Sequence, residues 1–373
     1  MKKTILIVCI SLMLLVTSCA KKNAEVVADN SGGNAQATTT VEEVVTEPVV
    51  EAPIEEPVIE EVPIVSNLSP YTGLPIAEEL LNKRPVGIMI SNIKVALPQS
   101  GIGSADIVYE TLVEGGITRL FGIFHDFDDE KIGPIRSSRH YYLDFALDND
   151  AIYTHVGQST YATTAFKELN VDRFYGISKL DAMLTYRDPD RKAPHSTYTS
   201  YTKLMDTWTF LDYRKELSEE SRRLLFNLVD TPLSQGDSLT KILLDYSPYI
   251  TATFEYNETT MVYDRYQFGD KHIDATTKEQ IAFKNIIIQY ADIWTIKGDK
   301  LGCMDMTLIT KGTGLLITDG FKVPITWEKT SHDSPTAYFF ADGKPIVLNP
   351  GKTFISVFPL NRIDKIIMEG KND

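Results

Sequence analysis

Cysteine is scarce in this sequence: three residues in 373, Cys9, Cys19 and Cys303, two of them within the first nineteen positions. That count excludes a scaffold held by several disulfides. No His-Glu-x-x-His string occurs, so neither a catalytic metal nor a metal cofactor is expected. Asp126, Asp128, Asp129 and Glu130 cluster, but their spacing fits no calcium-loop template and reads as an acidic turn. Gly157-Gln158-Ser159-Thr160-Tyr161 lacks the second glycine of a nucleophile elbow. Gly312-Thr313-Gly314 runs into a strand rather than a helix, so it is no phosphate loop, and no cofactor of any kind is expected. Long hydrophobic runs are missing too. The apolar stretch from Thr4 to Leu14 is too short to span a bilayer comfortably. Between Ala20 and Ser66 there is no aromatic residue, and after Lys22 that stretch carries no positive charge.

What is present at the start is an address. Lys2 and Lys3 precede the short apolar stretch, and Leu15-Val16-Thr17-Ser18 brings small residues up to Cys19. This arrangement resembles a bacterial lipoprotein signal, which implies cleavage after residue 18 and lipid on the Cys19 thiol. Cys9 would leave with the signal, and Cys303 alone would remain free, with no partner for an internal disulfide. Glycine and methionine flank Cys303, and no His, Ser and Arg set accompanies it as in exported transpeptidases, so it reads as a buried thiol.

Residues 19–66 read as a tether. Ten acidic residues and Pro48, Pro53, Pro57 and Pro63 oppose helix, sheet pairing and collapse. At about 3 Å per residue in extended form, such a segment reaches on the order of 100 Å. Residues 1–66 account for −6 of the chain's −14, leaving −8 on residues 67–373. A mildly acidic body argues against nucleic acid as a partner.

The body is long enough for two domains, expected at 67–232 and 233–373. The first reads as mixed α/β. Strands are expected at Arg84–Ser91, Asp106–Glu110, Arg119–His125 and Ala151–His155. Helices are expected at Ser138–Asp148, Gln158–Leu169, Thr199–Leu211 and Glu216–Leu228. Beyond Asp230–Asp237, short alternating strands dominate. Thr253–Tyr256 and Met261–Tyr266 flank a turn, and Asp319-Gly320 is a strong hairpin signal between Gly314–Thr318 and Phe321–Trp327. Strands are also expected at Asn285–Gln289 and Thr353–Phe358. The fold class is α+β: a layered mixed α/β domain followed by a β-rich domain.

Cationic residues concentrate where the chain should be acidic. Four of six histidines (His125, His140, His155 and His195) share residues 119–195 with Arg119, Arg136, Arg139, Arg187 and Arg191. Gly133-Pro134-Ile135-Arg136-Ser137-Ser138-Arg139-His140 is expected to lead into a helix capped by Ser137 or Ser138. His155-Val156-Gly157-Gln158-Ser159 is expected to do the same for the next helix. Helix N-termini and paired guanidinium forks suit phosphate or carboxylate. If the strands are parallel, both junctions lie beyond their carboxyl ends, where ligands gather. The alternative is that these arginines pair with Asp106, Glu110, Glu114 or Asp144 inside the fold. The loop Tyr186–His195 adds Arg187, Arg191, Lys192 and His195.

Several long strings resemble the YerB-like lipoproteins of Gram-positive bacteria. They include Asn67-Leu68-Ser69-Pro70-Tyr71-Thr72-Gly73-Leu74, Glu114-Gly115-Gly116-Ile117-Thr118-Arg119, Gly133–Arg139, Arg191-Lys192-Ala193-Pro194-His195 and Asn349-Pro350-Gly351-Lys352-Thr353. The resemblance implies a two-domain lipoprotein with a layered first domain. It implies no mechanism, because the family is built on domains of unknown function. A shorter stretch ending in Asn170-Val171-Asp172-Arg173-Phe174-Tyr175 is similar to the LytR-CpsA-Psr wall-polymer transferases, which hold a polyprenyl pyrophosphate with arginines; Arg136 and Arg139 would match.

Two functions compete on this reading. The first is a lipid-anchored protein on the outer face of the cytoplasmic membrane that binds an anionic envelope ligand or a wall-associated protein. Its candidate anion site is Arg136, Ser137, Ser138, Arg139, His155, Arg191 and His195. The second is an enzyme on glycan or phosphate-linked wall polymers, with His155 or His195 moving protons and Asp106 or Glu110 orienting them.

Overall fold

The computed structural model describes residues 67–218, 221, 224–233 and 236–371; the signal, Cys19 and the acidic tether lie outside them. The first half opens with strands β1 (Val86–Asn92), β2 (Ile107–Leu112) and β3 (Thr118–Phe124). Each is buried along its whole length, as its near-continuous apolar run requires. Helix α1 (Tyr142–Asp148), strand β4 (Ile152–His155), helix α2 (Thr160–Glu168) and strand β5 (Arg173–Tyr175) follow. A short helix α3 (Asp181–Leu184) precedes α4 (Tyr201–Leu211).

These strands join strands from the second half in one eleven-stranded sheet. From one edge its order is β5, β4, β1, β3, β2, then Thr353–Pro359, Asn285–Ala291, Lys311–Thr318, Phe321–Glu328 and Ala337–Phe340, and the eleventh strand, Asp237–Ser238, pairs with Phe321–Glu328 off this path. The halves meet where β2 runs parallel to Thr353–Pro359, with Ile107 opposite Thr353 and Glu110 opposite Ser356. Asp319 and Gly320, at φ 50° and 79°, form the hairpin turn that their residue types favour. A six-stranded sheet built around Lys241–Ser247, Ile250–Asn257 and Val262–Gln267 makes a second layer.

Alternate residues of the main sheet enter different cores, as a two-residue side-chain period demands. Val86, Ile88, Ile90, Val108, Phe354 and Phe358 pack with Tyr246, Phe254 and Tyr263 of the second sheet. Met89, Tyr109, Phe121, Tyr153 and Ile355 pack instead with Tyr142, Phe145 and Phe166 of α1 and α2. The α+β class expected from the sequence is therefore observed, with a mixed first half and a β-rich second half. One expected helix is not: the described residues of Glu216–Leu228 contain no helical residue. Glu216 bridges Lys83 and Phe226 bridges Leu348, so tertiary pairing replaces local helical bonds.

A buried ion pair stitches the layers together. Glu110 of β2 is 0% exposed and Arg265 of the second sheet 1%, and Arg265 Nη2 donates to Glu110 Oε2 at 2.7 Å. Asn92 Nδ2 and Thr118 Oγ1 donate to the other carboxylate oxygen at 2.8 and 2.6 Å. Arg265 also donates to His272 Nδ1 and to Gln267 Oε1, and His272 Nε2 donates to Gln99 Oε1 at 2.7 Å. Removing one partner strands the other charge in the core. Glu110→Ala or Arg265→Ala should each lower unfolding free energy by about 3–5 kcal/mol in urea titrations. The double variant Glu110→Gln/Arg265→Met should recover a large part of that loss; additive losses would show that the pair is not coupled.

Candidate functional site

β1 and β4 are parallel neighbours, with Val86 opposite Ile152. The segment after Gly133 crosses their carboxyl ends in extended form. Ile135 bridges Ile90, Arg136 N donates to Met89 O at 2.9 Å, and Val156 N donates to Arg136 O at 3.0 Å. Ser138 N donates to Gly157 O at 3.0 Å, and Ser138 bridges Gln158. The expected position beyond the strand ends is therefore occupied, but the expected cap is not. α1 begins at Tyr142 behind Tyr141, with no side-chain cap, because Ser137 and Ser138 are committed to this crossing strand. At α2 the cap is Ser159, whose Oγ accepts from Ala162 N at 3.1 Å.

Three arginines collect here. Arg139 forks onto Glu114, with Nη2 donating to Oε2 at 2.7 Å. Burial pushes the Glu114 carboxyl up, but this pair outweighs burial and holds it below its ordinary range. Buried Arg119 donates to the Ser137 carbonyl. Desolvation, together with nearby Arg139 and Arg136, brings its pKa down to about 10 despite Glu114. Arg136 donates to Pro194 O at 3.1 Å and has no carboxylate within ion-pair distance among the described residues. Its pKa is lowered by burial and by Arg139.

The Pro194 contact brings in the charged loop. Arg191 donates to the carbonyls of Leu97 at 3.3 Å and Pro98 at 2.8 Å. His195 is buried, and its Nδ1 has no hydrogen-bond partner. Desolvation lowers its pKa first, then Arg136, then Arg191. The two guanidiniums thus act on one imidazole from separate segments. Of the seven residues expected at the site, Arg136, Arg191 and His195 converge, while Ser137, Ser138 and Arg139 adjoin them.

His155 is elsewhere in character. Its ring stacks between Phe166 and Tyr175, centroids 4.9 and 4.8 Å away, and Nδ1–H donates to Gly157 O at 2.8 Å. Burial lowers its pKa to about 4. Asp106 and Glu110 contact neither this ring nor His195. Asp106 accepts from His125 N at 2.8 Å, with its pKa raised by burial to about 7, and Glu110 is held by Arg265. Asp144 accepts from His332 at 2.7 Å. Of the four carboxylates considered as internal partners, Glu114 alone takes an arginine of this cluster.

Cys303 is buried, and burial raises its pKa to about 11, with Glu114 and Asp299 adding to the shift. It lies in the hairpin of Ile293–Thr295 and Met304–Met306, on which Asp305 Oδ1 lies 2.8 Å from His140 Nε2. No spacing or motif signal connects this distant hairpin with the arginine cluster that it backs. Among the described residues no group of three His, Cys, Asp or Glu is arranged to hold a metal.

Comparison with known proteins finds two family matches. Residues 71–214 match the N-terminal domain, and residues 242–355 the C-terminal domain, of "Protein of unknown function (DUF3048)". The chain is 32% identical over 294 residues to the Bacillus subtilis (strain 168) protein named "Putative lipoprotein YerB", covering 78% of this chain and 86% of that one. It also superposes on the crystal structure of YerB protein from Bacillus subtilis with a TM-score of 0.72 at 29% identity, covering 81% of this chain and 99% of that one.

The buried histidine sets a pH dependence. Folded His155 resists protonation down to about pH 4, whereas its ordinary value is 6.5. Between those limits the unfolded chain binds the extra proton, so stability falls as pH falls. His125, lowered to about 4, acts in the same sense, and Asp106, raised to about 7, acts oppositely. His155→Phe should therefore make the fall shallower by up to about 1.4 kcal/mol per pH unit. Urea unfolding of both proteins between pH 4.5 and 7 measures this difference, and parallel curves would contradict it.

Proposed function

Because the chain belongs to the two-domain DUF3048, YerB-like family, we propose that it is a lipid-anchored protein of the outer face of the cytoplasmic membrane that binds an anionic cell-envelope ligand. The ligand class is a wall glycan, a peptidoglycan carboxylate or a lipid-linked phosphate. The anchoring rests on Cys19 behind its short apolar stretch and on the lipoprotein name of the Bacillus subtilis relative.

The observation that carries the binding reading is the convergence of Arg136 and Arg191 on buried His195, with no carboxylate paired to either arginine among the described residues. Neither guanidinium is salt-bridged among the described residues, so an anion entering there gains charge-assisted bonds from donors already positioned by backbone carbonyls. Arg119 and the Arg139–Glu114 pair sit behind them and add positive field with one compensating carboxylate. His195, with its pKa lowered, enters as a neutral ring that can donate or accept. An enzymatic reading draws no comparable support, since His155, Asp106 and Glu110 are each engaged in structural contacts. A wall-associated protein with an acidic surface would use the same charge.

Two outcomes follow. Binding of inorganic pyrophosphate or solubilised peptidoglycan fragments should weaken with added salt. Arg136→Ala and Arg191→Ala should each weaken it about tenfold, as loss of one charge-assisted bond implies. Arg187→Ala, whose guanidinium donates to Thr197, should leave it unchanged. Salt-insensitive binding, or equal affinity in all three variants, would sink the reading. Separately, Cys19→Ser should shift the protein from the membrane pellet to the soluble fraction on cell fractionation; retention in the pellet would contradict lipid anchoring at that residue.

A further inference from the structure

Three polar side chains meet in the core of the second half. Lys284, just before Asn285–Ala291, is 4% exposed; Asp319, in the hairpin turn, 6%; and Asn349, just ahead of Thr353–Pro359, 0%. The segments that carry Lys284 and Asn349 lie side by side. Lys284 N and Asn285 N both donate to Lys352 O, at 2.9 and 3.2 Å. Asn285 Nδ2 donates to Asn349 O at 2.8 Å, and Asn349 N donates back to Asn285 Oδ1 at 3.1 Å. Gly351 permits the approach: a Cβ at that position would stand 2.6 Å from the Lys284 Cβ.

The Asp319 carboxylate bridges the other two groups. Lys284 Nζ donates to its Oδ1, and Asn349 Nδ2 donates to its Oδ2 at 2.8 Å. Asn349 Oδ1 accepts from Thr231 N and from Asn227 Nδ2, each at 2.9 Å. Thr231 N can only donate and an ionised carboxylate can only accept, so the two together fix which end of the Asn349 amide is which. A structural ion pair requires Lys284 and Asp319 alone. It does not require a primary amide whose nitrogen rests on the same carboxylate and whose oxygen takes two donors. An amine, an amide, a proton carrier touching both and a donor pair on the amide oxygen are the parts of a transamidation centre.

We propose that Lys284 and Asn349 join in an intramolecular isopeptide bond. Asp319 takes one proton from the Lys284 ammonium. The neutral Nζ attacks Asn349 Cγ and the Nζ–Cγ bond forms, while Thr231 N–H and Asn227 Nδ2–H hold the charge that develops on Oδ1. Asp319 passes its proton to Nδ2 and receives a second one from Nζ. The Cγ–Nδ2 bond breaks, and the nitrogen leaves as ammonia, carrying that second proton away as ammonium. Nothing is oxidised or reduced, and no co-reactant enters. The link closes the chain between residues 284 and 349 at the end of the parallel pair in which Asn285 lies opposite Thr353. Closing so long a loop restricts the unfolded state as a disulfide does, in a body whose single cysteine, Cys303, has no partner for one.

The test is mass spectrometry of tryptic peptides from the denatured full-length chain. The bond after Lys284 should resist trypsin, and the peptide containing Lys284 should appear joined to the one containing Asn349. The joined product should weigh less than the sum of its two parts by one ammonia. In Lys284→Met and in Asp319→Ser the two peptides should separate, and in the latter trypsin should cut after Lys284. The proposal is overturned if the wild-type peptides are separate and of full mass. It is equally overturned if Lys284 is joined to Asp319 with loss of water, or if the ammonia deficit persists in Lys284→Met. The wild-type peptides decide the question even if a variant fails to fold. The centre shares no residue with the anion site, so its failure leaves that reading untouched.

Discussion

The buried pair of Glu110 and Arg265 is the constraint on which the rest of the molecule depends. β2, which carries Glu110, is also the strand through which the first half joins Thr353–Pro359 of the second. Arg265 reaches it from the other layer, its guanidinium lying between the rings of Phe254 and Phe354 at 5.8 and 5.6 Å. Two charges removed from water have one good arrangement, since every alternative leaves an unpaired ion in the core. A purely apolar interface between the sheets would tolerate sliding; this one fixes position as well as contact.

That fixed position is transmitted to the cationic site through hydrogen bonds. Arg265 donates to His272, His272 donates to Gln99, and Gln99 Nε2 donates to the Ser91 carbonyl at the end of β1 at 2.9 Å. The direction of each bond requires a neutral His272 protonated on Nε2, and burial together with Arg265 drives its pKa well below the ordinary value. Gln99 also anchors the chain just after Leu97 and Pro98, whose carbonyls hold Arg191. The loop bearing His195 is thereby tied to a core pair in another layer. For the proposed anion, donors oriented in advance in this way would lower the ordering cost of binding.

The elements most legible in the sequence are those decided by local physics. β1 and β3 are readable because a strand buried on both faces must be apolar throughout, and the Asp319-Gly320 hairpin because its turn needs two residues tolerant of positive φ. Glu216–Leu228 reads as a helix, yet Glu216 and Phe226 bridge Lys83 and Leu348, partners that lie far away in sequence. The cation cluster is visible as composition, but its geometry is not. Arg136 reaches the loop that carries Arg191 and His195 through the Pro194 carbonyl, a contact between segments that no spacing rule links. Nor does any local pattern choose Glu114 over Asp106, Glu110 and Asp144 as the arginine partner, or show that His155 is closed between Phe166 and Tyr175.

The central claim is that Arg136 and Arg191 form one anion-binding centre beside His195. The most direct measurement is a crystal structure of the protein soaked with inorganic pyrophosphate. An anion is expected within hydrogen-bonding distance of both guanidiniums and of His195. An anion found only elsewhere, or Arg136 and Arg191 swung apart into solvent and detached from the Pro194, Leu97 and Pro98 carbonyls, would contradict it.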